Sequence, residues 1–201
     1  MSYDNALTAS KLRRWEKYLH EYRLPRWEDI PDFGLYMEQV LELLRQYLDY
    51  LPPELKEEQF ITAATINNYV RNRFMPGPFR KKYYRIHIAY LVMICTLKQS
   101  LSIATLQKVI PMDLTEDEVR EIYSAYVLRH QITAEYFIEQ VRMVAGPILE
   151  HENSDVPESV NETKDLIAVF AIMGGLSRLL AEKLLLLEGY TLDDIRATEH
   201  R

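Results

Sequence analysis

Acidic residues are missing from the whole stretch between Glu58 and Asp113. That window holds Arg71, Arg73, Arg80, Lys81, Lys82, Arg85, Lys98 and Lys108, a formal +8 in a chain whose net charge is −6, so the remainder carries −14. A pI of 5.5 argues against a polyanion partner only if charge is spread evenly. A local basic face binds phosphates while an acidic body keeps the protein in solution. The plainer alternative is a solvated helix face whose acids happen to lie elsewhere.

Cysteine is scarce as well. Cys95 is alone, so no disulfide forms within the chain and no thiolate cluster holds a metal. A reducing cytoplasm fits this usage. The five histidines, His20, His87, His130, His151 and His200, form no HExxH and no paired ligand spacing. Gly146-Pro147 and Gly174-Gly175 make no phosphate loop, and no nucleophile motif occurs. No cofactor, no metal and no catalysis are expected. The N-terminus lacks the apolar core of a signal peptide. The most apolar run, Leu166 to Leu176, is interrupted by Ser177-Arg178 and followed by Glu182-Lys183, which suits a buried helix better than a membrane span.

Strand alternation is almost absent too, and helical periodicity runs throughout. With 201 residues, 48% hydrophobic, the chain reads as an all-α globular protein of one body or two small domains. A charged helix is expected over Leu12–Tyr22, with Trp15 and Trp27 as packing anchors. Phe33, Tyr36, Met37, Val40, Leu41, Leu44, Tyr47, Leu48 and Leu51 form one apolar stripe ending at Pro52-Pro53. Thr62 or Thr65 is an N-cap for a helix to about Asn72, and Pro76-Gly77-Pro78 forces a turn. Ile86–Lys98 is helical, and Ser102 caps a short helix to Ile110. Thr115 and Glu118 form a capping box with Val119, Ile122, Tyr123, Tyr126 and Val127 behind it. A separate helix is expected over Thr133–Leu149, then a linker over Asn153–Asn161. The last helix carries Leu166, Ile167, Phe170, Met173, Leu176, Leu180, Leu184 and Leu187 on more than one face, a pattern that fits either a monomer core or a dimer interface. Gly174-Gly175 permits close approach or a kink there. The division expected is 1–60, 61–112 and 113–201: N-terminal helices, a nucleic-acid-binding unit and an acidic C-terminal helical region.

The segment Thr65-Ile66-Asn67-Asn68-Tyr69-Val70-Arg71-Asn72-Arg73-Phe74-Met75-Pro76-Gly77-Pro78 resembles the recognition helix and start of the wing in MerR-type regulators. Tyr83, His87-Ile88, Leu91, Leu97-Lys98, Leu101-Ser102-Ile103 and Leu106 resemble the segments that follow it in that family. The longer phrasing, LPRWEDIPD, INNYV and KKYYRIHIAYL, resembles the uncharacterised bacterial family called domain of unknown function 1836. The resemblance implies a winged-helix, MerR-like helix-turn-helix over 61–112, embedded in an N-terminal helical region and followed by a C-terminal helical bundle. The wing is very short, Arg73 stands where the family has a glycine, Asn72 is the residue expected to take that left-handed turn, and Tyr84 replaces a capping serine. Clustered cysteines and a long heptad array, which the family's metal sensors use, are absent.

The residues point the same way on chemical grounds. Asparagine pairs bidentately with adenine and arginine with guanine, so Asn67, Asn68 and Arg71 are the base-edge candidates. Arg80, Lys81 and Lys82 follow the proline turn and are assigned to phosphate, together with Thr62, Thr65, Tyr69, Arg73 and Arg85. Tyr69 has packing as its alternative, and His87 a helix-start or packing role. The expectation is a cytoplasmic, homodimeric transcription regulator that binds double-stranded DNA. The alternative is an all-α module that contacts a protein or RNA. Tyr123, Tyr126, Tyr136 and Phe137 line an effector site or belong to the core, and their spacing favours the core.

Overall fold

A computed structural model describes residues 3–49, 61–149 and 162–189. They form α1 (Asn5–Glu21), a 3-10 turn (Trp27–Asp29), α2 (Met37–Tyr47), α3 (Ala63–Arg71), α4 (Arg85–Leu97), α5 (Ile103–Val109), α6 (Glu116–Leu149) and α7 (Thr163–Leu185). Among the described residues the only β features are two isolated antiparallel bridges, Leu35 with Tyr83 and Phe79 with Lys82. The fold class is all-α. No helix of the described residues is long and apolar enough to cross a membrane.

Every residue of α4 from His87 to Cys95 is buried. A helix apolar on all sides has no solvent face, so it becomes the axis around which others pack. Val40 and Leu44 of α2, Ile66 and Tyr69 of α3, Leu106 of α5, and Val119 and Tyr123 of α6 join it in one hydrophobic cluster with Leu24, Trp27 and Ile30. Its buried polar groups are answered: the Tyr123 hydroxyl donates to the Pro25 carbonyl at 2.8 Å and the Tyr90 hydroxyl to Pro111 at 2.9 Å. An unanswered hydroxyl in such a place costs about 1–3 kcal/mol. A second, smaller cluster joins Ala9 of α1 to Val141, Ala145 and Ile148 of α6 and Leu166 of α7. Around it Trp15 meets Phe137 edge-on at 5.8 Å, Arg142 pairs with Glu16, and Arg13 donates to the Leu149 carbonyl.

Helix ends largely follow local chemistry. Ser102 Oγ accepts the Thr105 amide at 3.1 Å, and Glu118 reaches back to the Thr115 amide at 2.8 Å. Three expectations need correction. First, α1 begins at Asn5 instead of Leu12, because the Asp4 carboxylate accepts the amides of Ala6 and Leu7 at 2.8 and 3.1 Å. Second, the stripe from Phe33 is not one helix: α2 starts at Met37, and Phe33 and Tyr36 stand exposed. Leu35 instead exchanges backbone bonds of 2.8 Å with Tyr83 in both directions, which holds this segment extended. Third, Glu116–Leu149 is one continuous helix, with no break before Thr133. Gly174 and Gly175 lie inside α7, and a Cβ at either would meet nothing within 4 Å, so neither serves a close approach. The linker expected over Asn153–Asn161 lies outside the described residues.

Candidate nucleic-acid interface

Helix α3 is short and amphipathic. Thr62 caps it: its Oγ1 accepts the Thr65 amide at 3.1 Å and lies 2.9 Å from the Thr65 hydroxyl. Ile66 and Tyr69 face the core, so the residues one helical step round, Asn67 and Arg71, face solvent with Asn68 beside them. The Asn68 carbonyl oxygen accepts from Arg71 Nη2 at 2.6 Å and from Asn72 Nδ2 at 2.8 Å. These bonds orient the amide and the guanidinium relative to one another before any ligand arrives. Tyr69 is buried with its ring edge-on to Phe74, and burial pushes its phenol up to about 12.

The end of α3 is a Schellman motif. Phe74 N–H donates to the Tyr69 carbonyl at 2.8 Å and Arg73 N–H to Val70 at 3.1 Å. The residue turned left-handed is Arg73, at φ 57°, while Asn72 stays at φ −91°. Asn72 therefore does not take the turn expected of it. The Tyr69–Phe74 ring contact is the apolar clasp that accompanies this motif. Arginine has no intrinsic preference for that conformation, and Arg73→Gly is expected to raise unfolding free energy by roughly 1 kcal/mol. A urea melt checks this.

Beyond Pro76-Gly77-Pro78 the chain makes a two-residue hairpin. Phe79 and Lys82 exchange backbone bonds of 3.0 and 2.9 Å, and between them Arg80 and Lys81 sit at φ 49° and 65°. Two successive positive φ values are what a type I′ turn requires, a turn usually built from Asn-Gly. Here both positions carry long, exposed cations. The structure around the hairpin imposes this shape. Its C-terminal arm runs into the Leu35–Tyr83 bridge. A Cβ on Gly34 would come within 2.8–2.9 Å of Lys82 and Tyr84, so only glycine lets the two segments approach. The Lys82 ammonium lies 5.3 Å from the Tyr36 ring centre and the Arg80 guanidinium 5.1 Å from that of Phe79.

One imidazole ties the hairpin base to α4. His87 Nδ1 accepts the Tyr84 amide at 2.9 Å, which assigns the proton to Nε2, and Nε2 donates to the Gly77 carbonyl at 2.9 Å. His87 thus caps the helix where Tyr84 cannot and fixes both flanks of the hairpin. Burial holds its pKa below the ordinary value despite the Glu116 carboxylate. Gly77 also lies against α3, its Cβ position 3.5 Å from Val70.

Helix α3 and the hairpin therefore form one unit. It presents Asn67, Asn68, Arg71, Arg73, Arg80, Lys81 and Lys82 from a surface whose sequence contains no acid. Arg85 serves the fold itself, since its Nε donates to the Ile30 carbonyl at 2.8 Å and its guanidinium lies 5.8 Å from the Trp27 ring centre. Thr62 and Thr65 are occupied in the cap. Sequence reasoning did not assign Gly34, Tyr36 or Phe79 to this surface, and the only local signals were Gly34 between Phe33 and Tyr36 and Phe79 directly before the basic run Arg80 to Lys82. The four aromatic effector candidates do not line one site: Tyr123 lies against Trp27 in the larger cluster with Tyr126 half-buried on it, Phe137 lies against Trp15 and Phe170, and Tyr136 is exposed.

No curated protein and no solved structure matches this chain. A family model, described as Domain of unknown function (DUF1836), matches residues 25–128. Those bounds nearly coincide with the larger hydrophobic cluster, which runs from Leu24 to Tyr123, and include the whole of the α3–hairpin unit. The chain belongs to the family of the domain of unknown function 1836.

Proposed function

We propose that this chain is a non-catalytic transcription regulator that binds double-stranded DNA, with α3 as a MerR-like recognition helix and the hairpin as a clipped wing. The observation that carries the reading is the hairpin tip. Two consecutive cations are held in a conformation that glycine or asparagine adopts at less cost, which makes sense if their charge is needed there. Asn67, Asn68 and Arg71 read base edges in the major groove. Arg73, Arg80, Lys81 and Lys82 hold phosphate, with Thr62, Thr65, Tyr69 and Arg85 supporting that surface from within.

Helix α7 and the distal part of α6 supply a dimer contact in this proposal. Leu128, Ile132, Tyr136, Met143, Ile167, Ile172, Leu176, Leu179, Leu180 and Leu184 are each more than half exposed. A stable interface buries ~800 Å² per partner, and exposed apolar side chains are the material from which such a contact is made. Light scattering on the intact chain is expected to report twice the chain mass, and Leu176→Glu with Leu180→Glu to halve it. The same apolar surface favours the second reading, a module that binds another protein and no DNA.

Selection from fragmented genomic DNA separates the two. A regulator enriches a motif with paired half-sites about one helical turn apart, matching a two-fold dimer. Recovery of fragments in proportion to the input would reject the DNA reading.

A further inference from the structure

The hairpin carries a second kind of group that phosphate binding leaves unexplained. Phe79 is 60% exposed at its neck, and Phe33 and Tyr36, 62% and 58% exposed, lie on the segment bridged to its far arm. Aromatic rings in water are costly to leave uncovered, and two of these three lie beside cations of the hairpin. None contributes its face to the main core: Leu35, between Phe33 and Tyr36 in sequence, is the residue that turns inward. The Arg80 guanidinium 5.1 Å from the Phe79 ring centre and the Lys82 ammonium 5.3 Å from the Tyr36 ring centre bring charge and ring to the same spot.

A base step offers the matching surface, because a partly unstacked step exposes a flat apolar face bounded closely by phosphates. We infer that Phe79 is a wedge: it inserts at a deformable step of the duplex while Arg80 and Lys81 hold the flanking phosphates. The partner is thereby specified as DNA that kinks or unstacks easily, such as a pyrimidine–purine step. This inference rests on the DNA-binding reading and goes beyond it, since phosphate contacts alone need no exposed phenylalanine. Tyr36 and Gly34 act as positioning residues. The tight approach at Gly34 and the ring of Tyr36 under Lys82 hold the hairpin's far arm, and with it the direction in which Phe79 points.

The test compares two short duplexes of one random sequence, one intact and one with a central mismatch beside a 2-aminopurine. The wild-type chain is expected to prefer the mismatched duplex by on the order of ten-fold and to raise 2-aminopurine fluorescence, because an aromatic ring stacks on an unstacked base. Phe79→Ala is expected to bring the mismatched-to-intact affinity ratio near unity and abolish the fluorescence rise, and Phe79→Trp to retain both. Circular dichroism melts confirm that these surface variants fold. If Phe79→Ala binds duplex with the wild-type ratio and fluorescence, the wedge is wrong and DNA binding stands. If the wild-type chain binds neither duplex, DNA binding itself is wrong.

Discussion

Replacing Arg80-Lys81 with Asn-Gly should make the protein more stable and a poorer ligand for DNA. Left-handed backbone costs an ordinary residue about 1–2 kcal/mol, and asparagine and glycine are the pair that type I′ hairpins favour. The double variant R80N/K81G is therefore expected to unfold about 1–2 kcal/mol later in urea, a large gain for a protein whose total stability is on the order of 10 kcal/mol. Duplex affinity should fall together with this gain, by about ten-fold or more at low salt, because two phosphate contacts go and the release of their counterions goes with them. Opposite signs from one substitution are the mark of strain kept for function. Gains in both properties, or an unchanged affinity, would mean that the turn is only a turn.

His87 should make the fold sensitive to acid. Its imidazole is buried, which lowers its pKa from the ordinary 6.5, and its Nδ1 faces the Tyr84 amide as an acceptor. Protonation would set a donor against a donor. In the unfolded chain the imidazole takes its proton near pH 6.5, whereas the folded chain resists until a lower pH. The unfolded state thus binds more protons in that window, and stability falls as pH drops below about 6.5 and levels off above about 7. His130 is lowered by burial too and adds to the same slope. His87→Ala removes the cap, the Gly77 tether and buried volume together, with an expected loss of about 3 kcal/mol. Urea melts from about pH 5 to 8 read both effects. The decline on acidification should be shallower in the variant, with only His130 left to titrate among these two. A wild-type stability that rises on acidification would contradict the assigned tautomer.

Much of the framework was readable from local chemistry because its signals are local. Thr62, Ser102 and the Thr115–Glu118 box mark helix starts through hydrogen bonds of their own side chains, and α4 declares itself by the length of its apolar run. The candidate interface was readable in outline, since the absence of acid from 59–112 is a property of the sequence itself. What stayed hidden depends on partners distant in sequence. Phe33 and Tyr36 happen to fall at helical spacing, yet Leu35 pairs with Tyr83, nearly fifty positions on, and that contact overrides the local pattern. Phe79-Arg80-Lys81-Lys82 contains none of the residues that normally announce a two-residue hairpin. Its shape comes from the bridge, from Gly34 and from His87. Arg73 similarly adopts a glycine's conformation because the Schellman bonds and the Tyr69–Phe74 contact stabilise the turn as a whole. The continuity of α6 was missed for a different reason. Its inward side faces the larger cluster at Val119 and Tyr123 and the smaller one at Val141 and Ala145, all on one face, but between the clusters Leu128, Ile132 and Tyr136 stand exposed, so the apolar pattern is interrupted although the backbone does not break.

The most direct measurement is the salt dependence of binding to a random-sequence duplex, for the wild-type chain and for Lys81→Glu with Lys82→Glu. With the four phosphate-facing cations of one chain engaged, the logarithm of the binding constant should fall against the logarithm of salt concentration with a slope of about −3.6 per chain, at roughly −0.9 per contact. Charge reversal should flatten that slope by about two contacts' worth, with only a modest loss in the urea melt from the Lys82 contact with the Tyr36 ring. A chain that scatters light as a dimer and yet shows no duplex binding at low salt would contradict the proposal and favour the protein-binding module.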